Sequence, residues 1–132
     1  MIEIEVLGAS ATAGAPPRGE IEAICERAAA SRGVPTGHVA IEFVDAARMA
    51  HLNAAHRHVE GPTDVLSFPV DGDDPAARAP IELGDIVICR EHAADVREAI
   101  VHGMLHLLGM DHETDDGEML RLQGELLGEA QA

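Results

Sequence analysis

Three histidines, His102, His106 and His112, stand at offsets 0, +4 and +10 in the run HGMLHLLGMDH, with Gly109 at +7. An α-helix turns once per 3.6 residues, so His102 and His106 leave one helical face about 6 Å apart along the axis, near enough for two imidazoles to meet one ion. Gly109 then lets the helix stop. Glycine adopts the left-handed conformation that commonly ends a helix, and residues 110–112 can fold back to bring a third nitrogen to the same point. Three protein nitrogens leave one tetrahedral position for water or substrate, the ligand count of zinc hydrolases rather than of closed structural sites. With eight His in 132 residues, a +4 pair alone can arise by composition. Requiring Gly at +7 and His at +10 as well lowers the chance expectation to roughly 0.003 per chain. The other five histidines, His38, His51, His56, His58 and His92, share no such spacing and read as surface or partly satisfied residues.

The histidine-bearing helix is the best-marked element of the chain. From residue 90 to 108 there is no Pro and a single Gly, and Ala93, Val96, Ile100, Met104 and Leu108 keep close to helical period. Ala99, Val101 and Leu105 make its second half apolar around much of its girth, so it is expected to be buried at the centre and to hold its ligands rigidly. Ile2, Ile4 and Val6 alternate with Glu3 and Glu5, the period of a strand with one solvated face. A first helix is expected over 20–32, a second strand around Val39, Ile41 and Phe43, and a helix over 46–55 capped by Asp45. Residues 65–68 and 81–89 read as two further strands, and a final helix over 115–127 has acidic residues in its first turn. Together these predict an α+β fold in a single domain, with a sheet of about four strands and a buried metal-bearing helix.

Composition narrows the setting. The core must be aliphatic, since the chain has two Phe and neither Trp nor Tyr. No run approaches the 18 or more apolar residues of a membrane span, and the N-terminus lacks a basic signal-peptide start, so a soluble, cytoplasmic protein with no membrane partner is expected. Cys25 and Cys89 are too few for a disulfide framework and read as reduced, mostly buried thiols. A formal net charge of −15, with nine Arg and no Lys, argues against nucleic-acid binding unless a local Arg and His patch overrides it.

The histidines and glycine coincide with the metalloprotease pattern HExxHxxGxxH, but Gly103 stands where that pattern has its glutamate. A zinc peptidase needs a carboxylate there to take a proton from water, so that reading loses its base. Asp111, beside the third histidine, is placed to orient an imidazole or to cap the loop, and orientation is favoured over catalysis. A second block runs from Asn53 to Pro69, a loop entering a strand. If Arg57 faces the metal, its planar donor fork suits a phosphate and would stabilise charge developing at phosphorus.

The motifs HGxLHLxGxDH at 102–112, RxxxxPTDVLSFP at 57–69 and LGDIVIC at 83–89 resemble the YbeY family of bacterial endoribonucleases, also called ribosomal RNA maturation factors. The resemblance covers essentially the whole chain in the same order of elements. It implies an α+β fold, one zinc ion (Zn2+) held by His102, His106 and His112, and a functional arginine at Arg57. It also implies cleavage of single-stranded RNA, maturation of the 3′ end of small-subunit ribosomal RNA and ribosome quality control; the acidic charge adds the expectation that ribosomal proteins, as partners, supply part of the binding. With so acidic a chain, the RNA-binding cleft would draw on few residues, Arg57, Arg48 and the neighbouring histidines. The alternative outside enzymology is a metal-stabilised ribosome-assembly factor that cuts nothing.

Overall fold

Alternating apolar and acidic positions set the first strand into a sheet with one buried face. β1 (Ile2–Leu7) buries Ile2 and Ile4 and exposes Glu3 and Glu5. The computed structural model describes residues 2–8, 16–57, 64–71, 81–111 and 115–131, the side chains of residues 56–57 and 129–131 excepted. The elements that follow are α1 (Arg18–Ser31), β2 (Gly37–Val44), α2 (Ala46–Arg57), β3 (Val65–Pro69), β4 (Glu82–Cys89), α3 (Val96–Leu107) and α4 (Glu118–Gln131). The strands form one mixed sheet in the order β1-β2-β4-β3. β1, β2 and β4 run parallel, and β3 pairs antiparallel along the β4 edge, with Ser67 opposite Ile86 and Phe68 opposite Asp85. Four strands and an α+β arrangement agree with the sequence expectation.

Side-chain alternation divides the core by face. Ile4, Val39, Ile41, Phe43, Val65, Ile86 and Ile88 join α1, α3 and α4 in the main cluster. Their neighbours Val44, Leu66, Val87 and Cys89 pack with Met49 of α2 in a smaller one. Because successive strand residues point to opposite faces, α2 and α3 lie on opposite sides of the sheet. The rest of the α2 side carries Glu3, Glu5, His38, Glu42 and Asp85, so much of the strand charge faces away from α3.

Two helices start later than the sequence expectation. The apolar period begins near residue 90, yet α3 starts at Val96 because Asp95 caps it, its Oδ1 accepting from Arg97 N at 3.0 Å and Glu98 N at 3.3 Å. Residues 90–92 form a turn instead, with His92 N and Ala93 N donating to Cys89 O. Likewise α4 starts at Glu118 rather than near 115. Asp115 accepts from Gly117 N and Met119 N, and Gly117 takes a φ of +95°, a conformation outside a helix. Asp45 caps α2 as its position suggests, accepting from Arg48 N at 2.8 Å. Cys25 and Cys89 are buried free thiols. Among the described residues, no helix is long and apolar enough to cross a membrane.

Candidate metal centre

α3 is held on three sides before its histidines are considered. Ala99, Ile100, Val101, Met104, Leu105 and Leu107 are all buried, and Arg97 pairs bidentately with Glu20 of α1. The helix runs antiparallel to β4. Gly103 lies against Ile86, and Leu107 sits over Gly84, so the carboxyl end of α3 overhangs the amino end of β4. His102 and His106 are in the last two turns, half-buried, on the flank left uncovered. The expectation of a buried central helix ending in these histidines holds.

The two rings converge. Their centroids are 4.7 Å apart with planes crossed at 77°, and the Nε2 atoms approach to 3.2 Å. Each Nδ1 is engaged from behind. His106 Nδ1 lies 2.9 Å from the carbonyl oxygen of Met110, and His102 Nδ1 lies 2.8 Å from Oε1 of Gln123 on α4. A carbonyl or amide oxygen can only accept, so both Nδ1 atoms donate their hydrogen. Neutral rings therefore turn Nε2 lone pairs toward each other. Lone pairs at 3.2 Å repel unless positive charge lies between them, a proton on one ring or a metal cation. With metal–nitrogen bonds of about 2.0–2.1 Å, two tetrahedral ligands stand roughly 3.3–3.4 Å apart, close to the observed spacing. The donor pair fits a cation. The carboxyl end of α3 adds to the fit, because the helix dipole presents partial negative charge there.

The turn after α3 is what brings the Met110 carbonyl back. Leu108 N donates to Met104 O, Gly109 N to His106 O and Met110 N to Leu105 O, with Gly109 at a φ of +94°. This is the left-handed helix end read from the sequence. His112 lies outside the described residues, and so does the Arg57 side chain, although α2 ends at Arg57. Among the described residues, no group of three His, Cys, Asp or Glu side chains is placed to hold a metal.

Other candidates fall in different places. Arg48 is exposed on α2, across the sheet from α3, while His56 and His58 are outside the described side chains. His51 and His92 are exposed, and His38 pairs with Glu82 at 2.7 Å. Asp111 is exposed and its backbone carbonyl accepts from Asp115 N at 3.2 Å. Among the described residues, Gln123 and Met110 O stand behind His102 and His106, and neither is singled out by sequence. Gln123 is 21 residues from its histidine, and a backbone carbonyl has no sequence signature. Ser67 of β3 was also missed as a neighbour. Its hydroxyl reaches the Gly103 carbonyl at 3.4 Å and ties β3 to the histidine helix.

Gly103 has a packing reason. A Cβ there would stand 2.7 Å from Ile86 Cγ2, so this position faces the sheet and can present no carboxylate to the histidine flank. Position 103 therefore supplies no base of the kind the metalloprotease pattern has there.

With the geometry in view, comparison with known proteins places the chain. The family described as Endoribonuclease YbeY matches residues 17–131. Endoribonuclease YbeY of Mycobacterium leprae strain Br4923 is 40% identical over 115 residues, covering 72% of this chain and 65% of that protein. That of Rhodococcus opacus strain B4 is 40% identical over 113 residues, covering 70% and 63%. The aligned region thus spans just under two thirds of the length of these relatives. A solution structure of a Thermotoga maritima protein superposes with a TM-score of 0.55 at 25% identity, over 96% of this chain and 88% of that one. The chain belongs to the endoribonuclease YbeY family.

Proposed function

We propose that this protein is a zinc-dependent endoribonuclease that hydrolyses phosphodiester bonds in single-stranded RNA, with His102, His106 and His112 as metal ligands and Arg57 as the residue that meets the phosphate. The observation that carries the reading is the pair of Nε2 atoms 3.2 Å apart, each ring locked from behind through Nδ1. Membership of a family described as endoribonucleases supplies the reaction class.

When bound, the ion supplies Lewis acidity to a phosphoryl oxygen or to water. The protein's own groups do the rest. His102 and His106 hold the site rigidly, because α3 is packed on its other flanks and cannot shift without disturbing the main core. The negative end of the α3 dipole would repel a phosphate, so the cation is also what makes this place hospitable to RNA. Arg57 contributes a bidentate fork for the phosphate and stabilises charge that develops at phosphorus. Carboxylates at Glu3, Glu5, Glu42 and Asp85 point to the other face of the sheet, which supports RNA approach on the α3 side despite a net charge of −15.

We further propose that this activity acts in the cytoplasm, in 3′-end maturation of small-subunit ribosomal RNA and in ribosome quality control, with ribosomal proteins helping to hold so acidic an enzyme on its substrate. The test compares wild type with His106→Ala on unstructured RNA. Cleavage by wild type reduced on the order of 100-fold or more in the variant is expected from loss of a metal ligand. Equal cleavage by both overturns the nuclease reading. A 2′-deoxy substitution at the scissile nucleotide then names the nucleophile: cleavage persists if water attacks and stops if the ribose hydroxyl does.

A further inference from the structure

Gln123 stands out on chemical grounds. Among the described residues it and Asn53 are the two polar residues with buried side chains. It lies on the inward stripe of α4 between Met119, which is fully buried, and Leu126, which is 5% exposed. The period of a helix puts 119, 122, 123 and 126 on one face, and the other three are apolar. A leucine at 123 would complete that stripe and bury more apolar surface, whereas a buried amide costs stability unless it is bonded. Docking of α4 therefore does not call for an amide here. What the amide does is accept the Nδ1 hydrogen of His102 at 2.8 Å, on the ring whose Nε2 faces His106.

We propose that Gln123 is a positioning residue: by holding the Nδ1 hydrogen of His102 it fixes the tautomer and angle of that ring, so that cation affinity on α3 depends on α4 being docked. The inference rests on the metal reading above and extends it to an element that carries no ligand. His106 obtains the same service from a backbone carbonyl in its own turn, whereas His102 obtains it from a separate helix. Oxygen acceptors behind ligating histidines commonly contribute 10–100-fold in metal affinity. Asparagine is one methylene too short to replace Gln123, while glutamate keeps the reach and the acceptor.

The experiment measures zinc affinity by competition with a chromophoric chelator in wild type, Gln123→Leu, Gln123→Glu and His106→Ala, together with the melting temperature of each metal-free protein. Gln123→Leu is expected to bind zinc about 10–100-fold more weakly with an unchanged or higher melting temperature, and Gln123→Glu to bind within about threefold of wild type. A merely structural glutamine gives the reverse, a lowered melting temperature with intact affinity, and that result overturns the inference. Nitrogen-detected NMR of the metal-free wild type checks it without any variant: Nδ1 of His102 must carry a proton, and an Nδ1 without one overturns it. Zinc bound equally by wild type and His106→Ala overturns the metal reading and this inference together. Zinc bound tightly by wild type and Gln123→Leu but weakly by His106→Ala overturns the role of Gln123 alone.

Discussion

Gly103 and Ile86 are packed so closely that a methyl group on the glycine would lie 2.7 Å from Ile86 Cγ2. Ile86 is fully buried. Gly103→Ala therefore incurs an overpacking cost of about 1–3 kcal/mol, offset in part by the roughly 1 kcal/mol that alanine gains over glycine inside a helix. A net loss of about 1 kcal/mol is expected in urea denaturation. Gly84→Ala should cost more, about 3 kcal/mol, because its φ is +136° and its Cβ would meet the Phe68 carbonyl oxygen at 2.2 Å, an atom fixed in the β3–β4 ladder.

The start of α3 rests on one carboxylate. Asp95→Ala leaves the amides of Arg97 and Glu98 without their cap and should cost about 1 kcal/mol. Asp95→Asn retains an acceptor and should recover most of that loss. The measurement is the shift of the urea midpoint between the two variants.

Burial pushes the Cys25 thiol up to about 12 from its ordinary 9.0, with the charges of Glu26 and Glu22 adding to the effect. Between those values the folded chain keeps a proton that the unfolded chain has released, so stability is lost as pH rises from 9.0 toward 12. The slope from this group is at most about 1.4 kcal/mol per pH unit. Unfolding free energies at pH 8 to 10.5 should fall in wild type, and Cys25→Ala should flatten that part of the decline.

Metal loading should be visible as stability. A cation that binds only the folded chain stabilises it by about 2.7 kcal/mol at 100 times its dissociation constant, which for a chain of this size corresponds to a melting-temperature rise on the order of 10 °C. Zinc added after chelator treatment should produce that rise in wild type and almost none in His106→Ala.

Much of the site is legible in the sequence because its determinants are local. His102 and His106 share one helical face by spacing, and Gly109 marks the left-handed end through a φ that favours glycine. The strands are legible from alternation, as Ile2 and Ile4 against Glu3 and Glu5 show. What sequence conceals is set by tertiary contact. The apolar period around Ala93 and Val96 runs through a turn, and only the Asp95 cap separates turn from helix. Gly103 reads in isolation as a missing catalytic base, yet its reason is a sheet residue 17 positions earlier. Gln123 looks like one more polar residue of an amphipathic helix until α4 is laid against α3.

The central claim, that imidazoles of this motif hold a cation, is tested most directly by X-ray absorption fine structure at the zinc edge of the metal-loaded protein. The account predicts a first shell of imidazole nitrogens at about 2.0–2.1 Å, three per zinc, falling to two in His106→Ala. A shell of oxygen or sulfur without imidazole scattering, or a spectrum that His106→Ala leaves unchanged, would contradict it.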